Sequence, residues 1–113
     1  MNKYREVVFY KSYFEEFFEA QPAKMKTKLL WTLSFIEDTE RVPETYLKWI
    51  VGTDGLFEIR AQHASDIVRV FCFFEKDKIV VTINGFNKKS QKTPKAMIQK
   101  ALKIKKQYEE EYH

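Results

Sequence analysis

The sequence is poor in the residues on which many small-protein chemistries depend. It has one cysteine, two histidines and three glycines in 113 residues. A single cysteine, Cys72, excludes an internal disulfide and fits a reducing compartment. It sits among apolar neighbours and is expected to pack rather than react. His63 and His113 are far apart and have no cysteine spacing that suits zinc, so no metal or cofactor is expected. Gly52, Gly55 and Gly85 fall where turns and a strand end are expected, and there is no glycine-rich phosphate loop. No Ser-His-Asp order is visible. No apolar run approaches the roughly 20 residues of a membrane span, and none at the start has signal-peptide character. A cytoplasmic protein without a membrane partner is expected. Repeats and low-complexity segments are also absent.

What is present points to one folded domain over residues 1–113. Apolar residues make up 44% and aromatics 16% of the chain, enough for a modest core without metal or disulfide. The net charge is +4 and unevenly placed. Residues 1–57 hold eight basic and nine acidic side chains (8 − 9 = −1), whereas residues 58–113 hold twelve and seven (12 − 7 = +5). Gly85 to Lys106, "GFNKKSQKTPKAMIQKALKIKK", carries eight lysines and no acid. This asymmetry suits a polyanionic partner.

Periodicity gives the order β-α-α-β-β-β-α, an α+β fold. "EVVFYKSY" reads as a strand near residues 5–11. Phe14, Phe17 and Phe18 lie at helical spacing opposite Glu15, Glu16 and Glu19. A second helix enters at Pro22 and ends near Arg41. Its apolar stripe is Met25, Leu29, Leu33 and Ile36, widened by Trp31 and Phe35. Residues 44–55 read as a loop. "LFEIRAQ", "DIVRVFCFF" and "KIVVTINGF" follow with joints too short for crossovers, which predicts an antiparallel meander. Thr93 is the expected cap of a last helix with Pro94 at its first position and Met97, Ile98, Ala101, Leu102 and Tyr108 facing inward. Glu109 to Glu111 oppose the helix dipole and predict fraying. The expected sheet is mainly antiparallel and four-stranded, with the two early helices packed on it.

The meander defines a candidate site. With Ala64 and Ser65 as the first hairpin tip, Arg60 faces Arg69. With Lys76 and Asp77 as the second tip, Asn84 lies opposite Arg69, and Phe86 and Lys88 share the same face. Two facing arginines repel unless something bridges them. Glu58 shares their face and is one possible bridge. A phosphate is the other, because the guanidinium fork matches phosphate oxygens. Lys88 and Lys89 rim this face, and Lys95, Lys100, Lys103, Lys105 and Lys106 add a basic helix edge.

These blocks resemble the RelE/ParE superfamily of bacterial toxins, most closely its HigB-type branch, which is related to a phage protein family. The matching segments are "GLFEIR" at Gly55–Arg60, Val68–Arg69, and "FNKKSQKTP" at Phe86–Pro94, with Ser90 where threonine is usual. The resemblance implies the toxin of a type II toxin–antitoxin pair, a ribosome-dependent endoribonuclease that cuts translated mRNA by 2′-hydroxyl attack and needs no metal. On this reading Arg60, Arg69, Lys88 and Lys89 are the catalytic residues. Asn84, Lys92, Lys95, Lys100 and Lys103 bind RNA or the ribosome. The implied partner is a helix-turn-helix antitoxin of the HigA kind, with the free toxin a monomer. The general base stays open among a lysine of depressed pKa, His63 and Tyr108. A ParE-like gyrase poison and a non-catalytic nucleic-acid-binding module are the alternatives.

Overall fold

The computed structural model describes residues 3–89 and 92–113. Its elements are β1 (Glu6–Phe9), α1 (Tyr13–Glu19), α2 (Ala23–Asp38), β2 (Leu47–Trp49), β3 (Leu56–His63), β4 (Asp66–Glu75), β5 (Ile79–Asn87) and α3 (Lys95–Tyr112). They form an α+β fold whose mixed sheet has the order β1-β5-β4-β3-β2. The strand β1 runs parallel to β5, and the other neighbours are antiparallel. Among the described residues no helix is long and apolar enough to cross a membrane.

Strand alternation splits the core into two layers. Ile59, Ala61, Val68, Val70, Cys72 and Val80 pack against Phe14 of α1 and Met25, Leu29, Leu33 and Ile36 of α2. Leu56, Phe71, Phe73, Val81 and Ile83 pack against Ala101 and Ile104 of α3. Cys72 is fully buried in the first layer, and burial raises its thiol pKa well above the ordinary range, which keeps it protonated. Arg5 closes the C-terminal end of α2 by donating to the carbonyls of Ile36, Thr39 and Glu40 at 2.6–2.7 Å, which satisfies acceptors that a helix end leaves open.

The sheet has five strands where four are expected. Residues 47–49, read as loop, form β2 at the edge, with Leu47, Lys48 and Trp49 opposite Ile59, Glu58 and Phe57. Three residues are too few for alternation to stand out from a loop. Trp31 does not widen the core stripe and is 45% exposed. At 100° per residue it lies about 200° around the helix from both Leu29 and Leu33. Thr93 does not cap α3. Pro94 occupies the N-cap without a side-chain hydrogen bond, and the Thr93 hydroxyl donates instead to Glu58 Oε2 at 3.0 Å.

The glutamates at the end of α3 hold the helix to Tyr112 rather than fraying it. Tyr10 donates its hydroxyl to Glu111 at 2.6 Å, and Lys105 pairs with Glu109 at 2.9 Å. Tyr108 hydrogen-bonds Glu75. These partners offset the unfavourable dipole.

At Gly85 the Phe17 ring of α1 lies directly against the backbone of β5. A Cβ there would sit 2.7–2.9 Å from three atoms of the Phe17 ring. Gly85→Ala is expected to lose about 1–3 kcal/mol through this overpacking, measurable by denaturant unfolding. Unchanged stability would show that Phe17 can shift freely.

Candidate nucleic-acid interface

The first hairpin has the expected two-residue tip, with His63 opposite Asp66 and Arg60 opposite Arg69. The second differs twice. Glu75 pairs with Ile79 across a three-residue tip, with Lys76 and Asp77 at positive φ (53° and 65°). A further register shift follows between Val70 and Cys72. Phe86, not Asn84, therefore lies opposite Arg69. Asn84 falls in the bulge between the Thr82 and Gly85 pairings. It is buried, and neither of its amide atoms has a hydrogen-bond partner among the described residues.

Glu58 is the centre of the charged cluster. It is buried, as is Arg69. Its Oε1 lies 3.5 Å from Arg60 Nε and 3.6 Å from Arg69 Nε. These are ion pairs rather than hydrogen bonds, because neither Nε has a hydrogen-bond partner among the described residues. The internal bridge is thus present, and the arginine pair does not depend on an outside anion to relieve its repulsion. Each guanidinium donates Nη1 to a backbone carbonyl, Arg60 to Glu44 at 3.3 Å and Arg69 to Val68 at 3.1 Å. Among the described residues neither Nη2 has an acceptor, which leaves these donors for an incoming oxygen.

A cleft of about 660 Å³ opens beside this cluster, lined by Lys48, Trp49, Glu58, Arg60, Lys88, Lys92, Thr93 and Ile98 among others. Lys48, Arg60 and Lys88 thus share the cleft with one carboxylate, Glu58, while Arg69 lines the adjoining pocket, whose wall also includes Arg60. Among the described residues no carboxylate lies within ion-pair distance of Lys48 or Lys88. Burial lowers the Arg69 pKa, with repulsion from Arg60 adding and Glu58 opposing. Lys88 is lowered in the same way, first by burial, then by Arg69, with Arg60 and Lys48 adding and Glu58 opposing.

Lys48 is the site residue that sequence reasoning misses. It stands opposite Glu58, and only the pairing of β2 reveals it. Lys88 is placed as expected, its backbone N–H extending the ladder to the Ile67 carbonyl at 2.8 Å. Lys92 also lines the cleft. Lys89, Lys95, Lys100 and Lys103 are exposed and do not line it. Ser90, the one departure in the "FNKKSQKTP" segment, lies outside the described residues. His63 is at the hairpin tip beside Lys24, Thr27, Lys28 and Trp31, not in the cleft. Tyr108 is tied to Glu75 at the far end of α3, and burial together with that hydrogen bond pushes its pKa up to about 12. Neither lines the cleft.

Lys88→Met separates two effects. A lysine whose pKa is depressed by folding binds its proton more tightly when unfolded. Stability should therefore rise as pH rises through the depressed value. The substitution is expected to remove that rise, measured by unfolding across alkaline pH. If the cleft holds RNA, the variant also binds more weakly, with the loss largest at low salt and the log–log salt slope smaller by about 0.7. Identical slopes would place Lys88 outside the contact.

The molecule is thus a layered α+β domain with a basic cleft at one end of its sheet. The chain belongs to the family of phage-derived Gp49-like proteins (DUF891), whose model matches residues 16–106 and so spans the whole cleft. None of the curated proteins compared with the chain matches it.

Proposed function

We propose that this cleft binds a phosphate of single-stranded RNA and that the protein is a ribosome-dependent endoribonuclease, a toxin of the RelE/ParE kind in its HigB-type branch. The observation that carries the reading is the facing pair Arg60 and Arg69, both held by Glu58, with Arg60 lining the cleft and Arg69 the pocket that adjoins it. In the proposed step the neighbouring 2′-oxygen forms a bond to phosphorus and the P–O5′ bond breaks. The products are a 2′,3′-cyclic phosphate and a free 5′-hydroxyl. Negative charge grows on the non-bridging oxygens, and fixed guanidinium donors stabilise that charge more than they stabilise the ground state. One proton leaves the 2′-hydroxyl and one reaches O5′. Lys88 is the cleft group best suited to exchange a proton, because its depressed pKa brings its neutral form closer to working pH. Lys48 and Lys92 would hold the flanking backbone.

Such an activity calls for a silencing partner, and a helix-turn-helix antitoxin that blocks the basic cleft or ribosome entry is part of the proposal. The second reading is binding without cleavage. It draws on Glu58, which already bridges the arginines, so that the cleft is stable as a purely electrostatic grip. The two separate in one experiment. Inducing the protein in cells should arrest growth and cut a reporter message only when that message is translated. A message lacking its start codon should stay intact. Arrest with intact messages would favour the binding-only reading.

A further inference from the structure

A second surface beside the cleft combines exposed aromatic area with positive charge. Trp31 is partly exposed on the outward side of α2. Its ring stacks on Phe35 with centroids 5.0 Å apart and 15° between planes, and Tyr46 meets it edge-on at 5.5 Å. Lys28 Nζ lies over the indole at 4.3 Å. Lys24, Thr27, Lys28, Trp31 and His63 line a shallow groove there, with no acid among them. Lys28 also lines the neighbouring pocket that contains Tyr46, Arg60 and Arg69. The groove and the arginine pair therefore share a wall.

We infer that this groove is a base-stacking subsite for an unpaired nucleotide of the RNA strand whose phosphate lies at Arg60 and Arg69. The inference rests on the RNA reading above and adds the path of the strand. Its direction follows from the shared wall, which leads around the edge of β3 from the arginines to the indole. A base offers an uncharged aromatic face to Trp31, while the adjoining phosphates meet Lys24 and Lys28. Aromatic platforms with lysines beside them hold single strands without regard to sequence, because every base has a π-face. Among the described residues Lys28 has no carboxylate partner. Its ammonium can leave the ring for a phosphate when a base arrives, exchanging a cation–π contact for a charge-assisted one. Phe35 and Tyr46 buttress the indole from the protein side, so the platform is already in place before binding.

The chain has two tryptophans, and Trp49 lines the cleft itself, so the Trp31 signal is read as the difference in emission between the wild type and Trp31→Phe. In that difference a short single-stranded RNA is expected to quench Trp31 emission, while a strand of equal length without bases binds but does not quench. Trp31→Ala should weaken RNA affinity about 5- to 150-fold, the range that one stacked base supplies. Trp31→Phe, which keeps an aromatic face, should lose far less, and circular dichroism checks that both variants are folded. Suppose labelled RNA binds by anisotropy, yet Trp31 emission does not change and Trp31→Ala binds equally well. The subsite is then wrong while the RNA reading stands, and the groove is left to a protein partner. If the wild-type protein binds no RNA even at low salt, both readings fall together.

Discussion

Glu58→Ala is expected to lose about 3–5 kcal/mol of stability, because removing one member of a buried ion cluster leaves its partners uncompensated. Glu58 is 6% exposed and ion-pairs with two arginines that face each other across β3 and β4. Without the carboxylate, Arg69 is buried beside a like charge. The Thr93 hydroxyl also loses its acceptor. For a domain of this size the loss lowers Tm by roughly 10–25 °C. The variant provides a further test of the cleft. If the arginines form a phosphate site, inorganic phosphate should raise the Tm of Glu58→Ala more than that of the wild type, by mass action on the folded state. The double variant Glu58→Ala/Arg69→Ala should recover part of the loss, since the surviving arginine no longer faces another. A Glu58→Ala protein as stable as wild type would mean that the cluster is relaxed by water and contributes little.

Arg69→Ala should lower message cleavage about 10²- to 10³-fold, the effect of deleting one preorganised donor to a developing oxyanion. Its effect on stability should be small by comparison. Glu58 keeps Arg60 and Thr93 as partners, while the cost of burying Arg69 and its repulsion by Arg60 both disappear. Arg69→Lys should recover little activity, because an ammonium keeps the charge but loses the planar fork. Cleavage and folding would then separate cleanly in one position. A parallel fall in Tm and cleavage would instead make Arg69 a structural residue.

How much of this site is legible in the sequence depends on one hairpin tip. The Arg60–Arg69 pair follows from a two-residue turn at Ala64 and Ser65, which the structure bears out. The second hairpin carries two irregularities that no turn signal announces, a three-residue tip and a bulge. Each shifts the pairing by one residue. Together they shift it by two, an even number, so Phe86 keeps the face assigned to it. Asn84 is caught inside the bulge and loses its assigned partner. Lys48 is hidden for a different reason. A three-residue edge strand is defined by its hydrogen bonds to β3, not by any pattern of its own. The apolar faces of α2 and α3 are readable because their 3.6-residue spacing is sustained over several turns. Trp31 is misassigned because an aromatic residue is taken for core on its type rather than on its angle around the helix.

The central claim, that Arg60 and Arg69 hold a phosphate for attack by the adjacent 2′-oxygen, is tested most directly on the ends of cut RNA. Ribosomes translating a defined message would be incubated with wild-type protein, Arg60→Ala or Arg69→Ala, and the fragments analysed for their termini. The account predicts upstream fragments ending in 2′,3′-cyclic phosphate and downstream fragments beginning with a 5′-hydroxyl, with both strongly reduced for either arginine variant. An uncut message, or cutting that persists undiminished in the arginine variants, would contradict it.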